Sequence, residues 1–285
     1  MKSTATRLER LRGEKWFQYL FSKVAVRMIL VFLIFSCFSL PVSGYQRVIV
    51  LNTAVTPIMK AMQLASVVVG VTYNDDVLKG VTRIGSHLSP NIELIKALQP
   101  DLIIAGSKRA FPDKLKSRFK ADLFRYDPRT LDGILQAVLE LGQLFHREDQ
   151  AEAIARDAEK TLSQLRRPAH SISVVYEISH RPLKVAGGQN IVTSVINAAG
   201  GTNLIVLQKK HVLVSPEKIL ELKPDYYIYQ NGPMNKNPLN PGERSYFRSL
   251  RTNIVEVDQL LYTRAGLNAF KAVQHLNRLF NQHAD

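Results

Sequence analysis

Residues 91–101 read NIELIKALQPD, and residues 215–225 read SPEKILELKPD. With the Pro-Asp pairs in register, five of eleven positions are identical: Glu93/Glu217, Ile95/Ile219, Leu98/Leu222, Pro100/Pro224 and Asp101/Asp225. In each copy apolar residues recur at three- and four-residue spacing, which predicts a short helix with one buried face. A proline follows and cannot continue that helix. An apolar run comes next, LIIAG in the first copy and YYIYQ in the second, and reads as a buried strand. One helix–strand unit used twice, 124 residues apart, predicts two similar lobes in one chain.

Outward from the first copy, residues 47–51 (RVIVL) and 67–72 (VVVGVT) predict strands, with a helix over 55–64 between them. Residues 101–105 and 121–126 add two more strands, with a helix over 111–119. Around the second copy, strands are expected at 171–177, 183–186 and 253–257, with helices over 190–198 and 264–282. Alternation of strand and helix predicts parallel sheets covered on both faces. Between the lobes, residues 130–167 are helical by pattern, with a weak break at Phe145-His146. The expected organisation is an N-terminal α/β lobe over 45–147, a connecting helix over 148–167 and a C-terminal lobe over 168–285. A helix in place of a Gly/Ser linker predicts stiff, small lobe motion.

The first 44 residues differ. A basic segment precedes the apolar run 28–40, and Pro41-Val42-Ser43-Gly44 resembles a cleavage site. This reads as a signal peptide, or, left uncut, as an N-terminal membrane anchor. The expected location is periplasmic. Cys37 and Trp16, each the sole residue of its type, lie in this leader, so the remainder has no disulfide or cysteine-ligated metal. The formal charge of +14 is divided as +5 in the leader and +9 beyond it, which favours anionic partners. The basic residues are scattered and form no nucleic-acid arm. No phosphate loop, dinucleotide fingerprint, G-x-S-x-G elbow or H-E-x-x-H is present, and no catalytic residue is assigned.

RVIVLNTAVTPIMKAMQLASVVVGVT, IGSHLSPNIELIKALQPDLIIAG, PLKVAGGQNIVTSVINAAGGTNL and VSPEKILELKPDYYI together resemble the substrate-binding proteins of ABC importers for iron-siderophores, haem and cobalamin. The resemblance implies an α/β fold of two Rossmann-like lobes with parallel sheets, joined by a single long helix, with ligand in the cleft between lobes. It implies a monomer that captures a metal chelate, needs no cofactor and delivers its cargo to a permease with ATPase subunits. It also implies permease docking through one glutamate on each lobe, here Glu93 and Glu217. A ligand-sensing protein and a cleft enzyme on the same fold stay open as alternatives.

The ligand is expected beyond the carboxyl ends of the strands. Candidates in the first lobe are Asn52, Thr53, Tyr73, His87, Lys108 and Arg109. In the second they are Tyr176, Arg181, Gln189, Tyr229 and Arg244. Arginine suits carboxylates and tyrosine suits a flat ring. His87 stands where haem-binding relatives carry an axial ligand, so haem ligation is possible there.

Overall fold

The computed structural model describes residues 44–282, so residues 1–43 of the leader lie outside the described residues. Two sheets are present. The first has the order β3-β2-β1-β4-β5, built from Val48–Val50 (β1), Val68–Val71 (β2), Thr82–Arg83 (β3), Leu102–Ala105 (β4) and Asp122–Arg125 (β5). Every pairing in it is parallel. Helices Thr56–Ala61 (α1), Ile92–Ala97 (α2) and Asp113–Lys116 (α3) connect its strands.

The second sheet follows the same plan at its centre. Gly201–Asn203 (β8), Ile172–His180 (β6), Tyr226–Asn231 (β10) and Asn253–Asp258 (β11) lie side by side and parallel, as β2-β1-β4-β5 do. Its edge departs from the expected all-parallel arrangement. β6 runs on past Glu177 to His180 and turns back as Leu183–Ala186 (β7), which pairs antiparallel with both β6 and His211–Leu213 (β9). Helices Ile191–Ala198 (α6) and Pro216–Leu222 (α7) complete this half.

The repeat that defines the sequence reappears in three dimensions. Asn91 caps α2, its side chain accepting the Glu93 and Leu94 amides, and Ser215 caps α7 from the matched position. Ile95 and Ile219 are both fully buried. Gln99 and Lys223, also matched, both adopt the left-handed conformation that ends the helix (φ 45° and 46°). The two aspartates then clamp the start of the central strand. Asp101 accepts the backbone amides of Gln46 (2.7 Å) and Arg47 (3.0 Å). Asp225 accepts the amide (2.7 Å) and hydroxyl (2.6 Å) of Ser173.

The helical segment between the sheets is a hairpin. Leu131–Phe145 (α4) starts at a Thr130 cap and stops where His146 turns left-handed; Glu148–Ser163 (α5) folds back along it. α4 touches both halves, and the end of the 148–167 segment is held to the second half, where Asn277 Nδ2 donates to the Arg166 carbonyl (2.6 Å). The Leu131 amide of α4 donates to Ser194 Oγ in the second half (3.1 Å), and Phe145 packs edge-on against Tyr45 in the first. The apolar stripe Leu131, Ile134, Val138 and Leu141 is buried along its length.

Strand alternation sorts the core. Val48, Val50, Leu102 and Ile104 share one continuous cluster with α4 and with Val174, Tyr176, Tyr226 and Ile228 of the second sheet. Ile49, Ile103 and Phe111 face the other side of the first sheet; Val175, Val185 and Tyr227 face the other side of the second. The inner faces are therefore one core, which resists independent movement of the halves. The expected final helix starts later than its pattern suggests, at Asn268–Gln282 (α9), and a separate short helix, Gln259–Thr263 (α8), precedes it. Gly266 lies between them, and a Cβ there would stand 2.7 Å from the Ala54 carbonyl of the first half.

Candidate functional site

The halves meet along a seam, and the first half supplies it from the carboxyl ends of its strands. Beyond β1, Ala54 packs on Gly266. Beyond β2, Asp76 pairs with Arg264 (3.4 Å). Beyond β5, the Tyr126 hydroxyl donates to the Ala265 carbonyl (2.8 Å). The next residue, Asp127, accepts from Arg129 (2.7 Å) and stands 4.0 Å from Lys210 of the second half. Arg129 also donates to the Gln189 carbonyl across the seam (3.4 Å).

The second half does not answer with the ends of its parallel strands. It contributes the turn after β7 and the loop after α8. The Gly187-Gly188 turn is strapped by residues 205–210: the Gly187 and Gly188 amides donate to the Lys210 and Leu207 carbonyls. A Cβ on Gly187 would lie 2.3 Å from the Lys209 carbonyl, so glycine is what allows the strap to close. Asn190 caps α6 and donates to the Lys210 carbonyl (3.0 Å), holding Lys210 at the seam.

Lys210 is the electrostatic centre of this region. Its side chain is half exposed. Its pKa is lowered by desolvation, opposed by Asp127 and reinforced by Arg129. On the opposite half, His87 titrates below the usual imidazole range because of desolvation and the charge of Lys210. His211 is lowered by desolvation and by Lys210, Lys184 and Arg129. Both rings are therefore held towards the neutral form, with ring nitrogens free of a proton to offer a metal or a hydrogen-bond donor. Around His87 and His211 the cations Lys210, Arg129 and Lys184 stand against one carboxylate, Asp127, and elsewhere on the seam Asp76 is matched by Arg264, so the seam is basic on balance. A cavity of about 330 Å3 lies beside the first turns of α4, lined by Arg125, Asp127, Gln136 and Glu140 among others. It shares only Asp127 with the seam contacts, so the charged groups and not that hollow mark the candidate site.

The structure distributes the sequence candidates unevenly. Gln189 stands at the seam and also bonds Gln208 through its side chain (2.9 Å); His87 is exposed on the first half, within reach of the Lys210 charge. Tyr73 is exposed beyond β2, three residues from the Asp76 contact. Asn52 and Thr53 lie at the end of β1 but serve their own half. Asn52 Nδ2 donates to the Tyr126 carbonyl, and the Thr53 carbonyl accepts from Thr56. Lys108 is exposed and paired with Asp113 (3.1 Å); Arg109 is exposed beside it. Arg181 sits exposed in the β6–β7 turn.

Three expected lining residues are instead internal. Tyr176 is fully buried, its hydroxyl donating to Gln230 (3.3 Å). Tyr229 is buried and bonded to Glu256 (2.8 Å). Arg244 is buried against Glu177, making 2.6 and 3.0 Å bonds to its two oxygens. Tyr227 and Asn235 bond the same carboxylate. A strand-end tyrosine and a loop arginine face inward here because β6 and β10 are central strands with helices or loops on both faces. Asp76, Asp127, Arg129, Lys210 and Arg264 are not among the residues that the sequence pattern singles out. Asp127 and Arg129 directly follow a predicted strand, which is the signal that could have found them.

Glu93 and Glu217 are both exposed in the first turns of α2 and α7. Glu217 is held below the usual carboxylate range by its own backbone amide and by the Ser215 hydroxyl.

A family description, periplasmic binding protein, matches residues 48–279. Among similar proteins is an uncharacterised ABC transporter substrate-binding lipoprotein, YvrC of Bacillus subtilis, 25% identical over 246 residues, covering 81% of this chain and 78% of that one. The vitamin B12-binding protein of Vibrio parahaemolyticus is 25% identical over 233 residues, covering 78% of this chain and 84% of its own. In fold the chain is similar to the periplasmic haem-binding protein RhuT of Roseiflexus sp. RS-1, with TM-score 0.69 at 24% identity over 85% of this chain and all of that one. The structure also resembles the periplasmic vitamin B12-binding protein BtuF of Vibrio cholerae, with TM-score 0.68 at 19% identity over 85% of this chain and 98% of the other. Two matched α/β halves, one bridging helix and a family match across nearly all the described residues lead to one assignment: the chain belongs to the periplasmic binding protein family, the substrate-binding proteins of ABC transporters.

Proposed function

We propose that this chain is the exported, periplasmic substrate-binding component of an ABC importer. It takes up a metal chelate of the iron-siderophore, haem or cobalamin type at the seam and delivers it to a membrane permease. The observation that carries this reading is the convergence of Asp127 and Arg129 from one half on Gln189 and Lys210 from the other, with the exposed His87 ring close enough to feel the charge of Lys210. A ligand lodged there bridges both halves, and its acidic groups meet Lys210 and Arg129. The vitamin B12 and haem named for the similar proteins support a large ring chelate as cargo. For haem, His87 offers a neutral imidazole as iron ligand. Glu93 and Glu217, at matched helix starts, are the permease contacts in this reading.

Titration of the protein with haemin, cobalamin and ferric siderophores, followed by absorption and tryptophan-independent calorimetry, tests the proposal. Saturable one-to-one binding of one chelate is expected, weakened in Lys210→Ala. If haemin is that ligand, its Soret band should shift on binding and revert in His87→Ala. Failure of all three classes to bind would overturn the importer assignment of ligand class.

A further inference from the structure

Between β4 and β5 the chain reads SKRAFPDKLKSRFK over residues 107–120, with six Lys/Arg and a single acid, Asp113. Its apolar residues recur every fourth position and point inward. Phe111 is fully buried and stacks on Phe119 at 6.3 Å, and Leu115 packs against the same outer core of the first sheet. The intervening cations have no room on that side. Lys114, Lys116, Arg118 and Lys120 are all exposed, as are Lys108 and Arg109 before them. Asp113 is fully committed, paired with Lys108 (3.1 Å) and with Arg125. Arg118 reaches Glu93 of α2 (3.7 Å), so the patch adjoins that helix start.

We propose that this α3 face binds an anionic bilayer surface, with lipid phosphates as the recognised groups. Packing the apolar spacing underneath leaves a fixed, shallow array of cations outside, which is the form a diffuse planar field of charge requires. Four of the six are lysines, flexible point charges that suit mobile headgroups better than a rigid carboxylate or phosphate fork. The leader read from the sequence brings the same chain to a membrane. Lying against the bilayer by this face would hold Glu93 near the membrane plane and limit the search for a permease to two dimensions.

The test uses the full chain and vesicles without permease, so it is independent of ligand and transporter. Sedimentation with vesicles of phosphatidylcholine alone, or with phosphatidylglycerol added, is measured for three proteins that share the leader. These are the wild type, a Lys114→Gln/Lys116→Gln/Lys120→Gln variant, and a Lys60→Gln/Lys160→Gln/Lys271→Gln variant with the same net charge. The α3 variant should lose about a hundredfold of its partitioning onto phosphatidylglycerol vesicles, the order expected for three surface cations. Wild-type binding should fall steeply with salt. The control variant should bind as wild type does, and a full denaturation curve checks that all three fold alike. Equal losses in both variants, or an unchanged α3 variant, would overturn the proposal.

Discussion

The two copies of the repeat keep the same backbone and differ in their charge surroundings. Cap, buried isoleucine, left-handed terminus and aspartate clamp recur at matched positions. At the matched glutamates the neighbours diverge. Glu93 has Lys96 at 3.3 Å and Arg118 at 3.7 Å, whereas the cation beside Glu217, Lys218, pairs instead with Glu221 at 3.0 Å. What is retained is what folds the unit, namely burial and satisfied backbone groups. What varies is solvent-facing charge, which costs the fold little to change. The halves also differ in depth. Among the described residues, only the second half holds an ion pair with both partners buried, Glu177–Arg244, linking its β6–β7 extension to the 231–244 loop; in the first half Asp75 is buried but its partner Arg83 is partly exposed.

The heaviest way to break the comparison is at that pair. Arg244→Ala strands Glu177 in the core and should destabilise the chain by about 3–5 kcal/mol. Urea unfolding followed by circular dichroism measures this, and a loss below 1 kcal/mol would show that the pair does not organise the second half.

A moderate effect sharpens the likeness instead. Asp101→Ala and Asp225→Ala each remove a charged acceptor from strand-start amides and should cost about 1.5–3 kcal/mol each. The Asp225 carboxyl is held low by the Ser173 hydroxyl and amide. Its contribution is therefore present above the unfolded carboxylate pKa, about 3.9, and is lost as pH falls through the lower folded value. The acid limb of the stability curve should be shallower in Asp225→Asn than in wild type. Coincident limbs would remove the clamp from the account of acid stability.

The smallest effect separates the glutamates. In a reconstituted transporter Glu217→Ala should slow stimulation of ATP hydrolysis by about two- to fivefold, the range of a single exposed ion pair. Glu93→Ala should do less at low salt, since Lys96 and Arg118 already screen that carboxylate. A larger loss at Glu93 would reverse this ranking and mean that its cations release it on docking.

Local pattern was enough for the repeat, the longer strands and helices, the break at Phe145-His146 and the exposure of both glutamates, but not for the short strands Thr82–Arg83, Gly201–Asn203 and His211–Leu213. Periodicity, prolines and caps act over a few residues, so they can be read along the chain. Short helices were overestimated, as at 111–119, where only Asp113–Lys116 is helical. There Phe111 and Phe119 satisfy their burial without a helix. Side-chain destinations were another matter. Tyr176, Tyr229 and Arg244 have compositions suited to a ligand wall, yet they pack inward because distant strands and a loop enclose them. Lys210 and Arg264 gained their importance only when the strap over Gly187 and the close approach of Gly266 to Ala54 brought them to the seam. Those contacts join residues far apart in sequence, and their energy depends on shape and desolvation that no local pattern encodes.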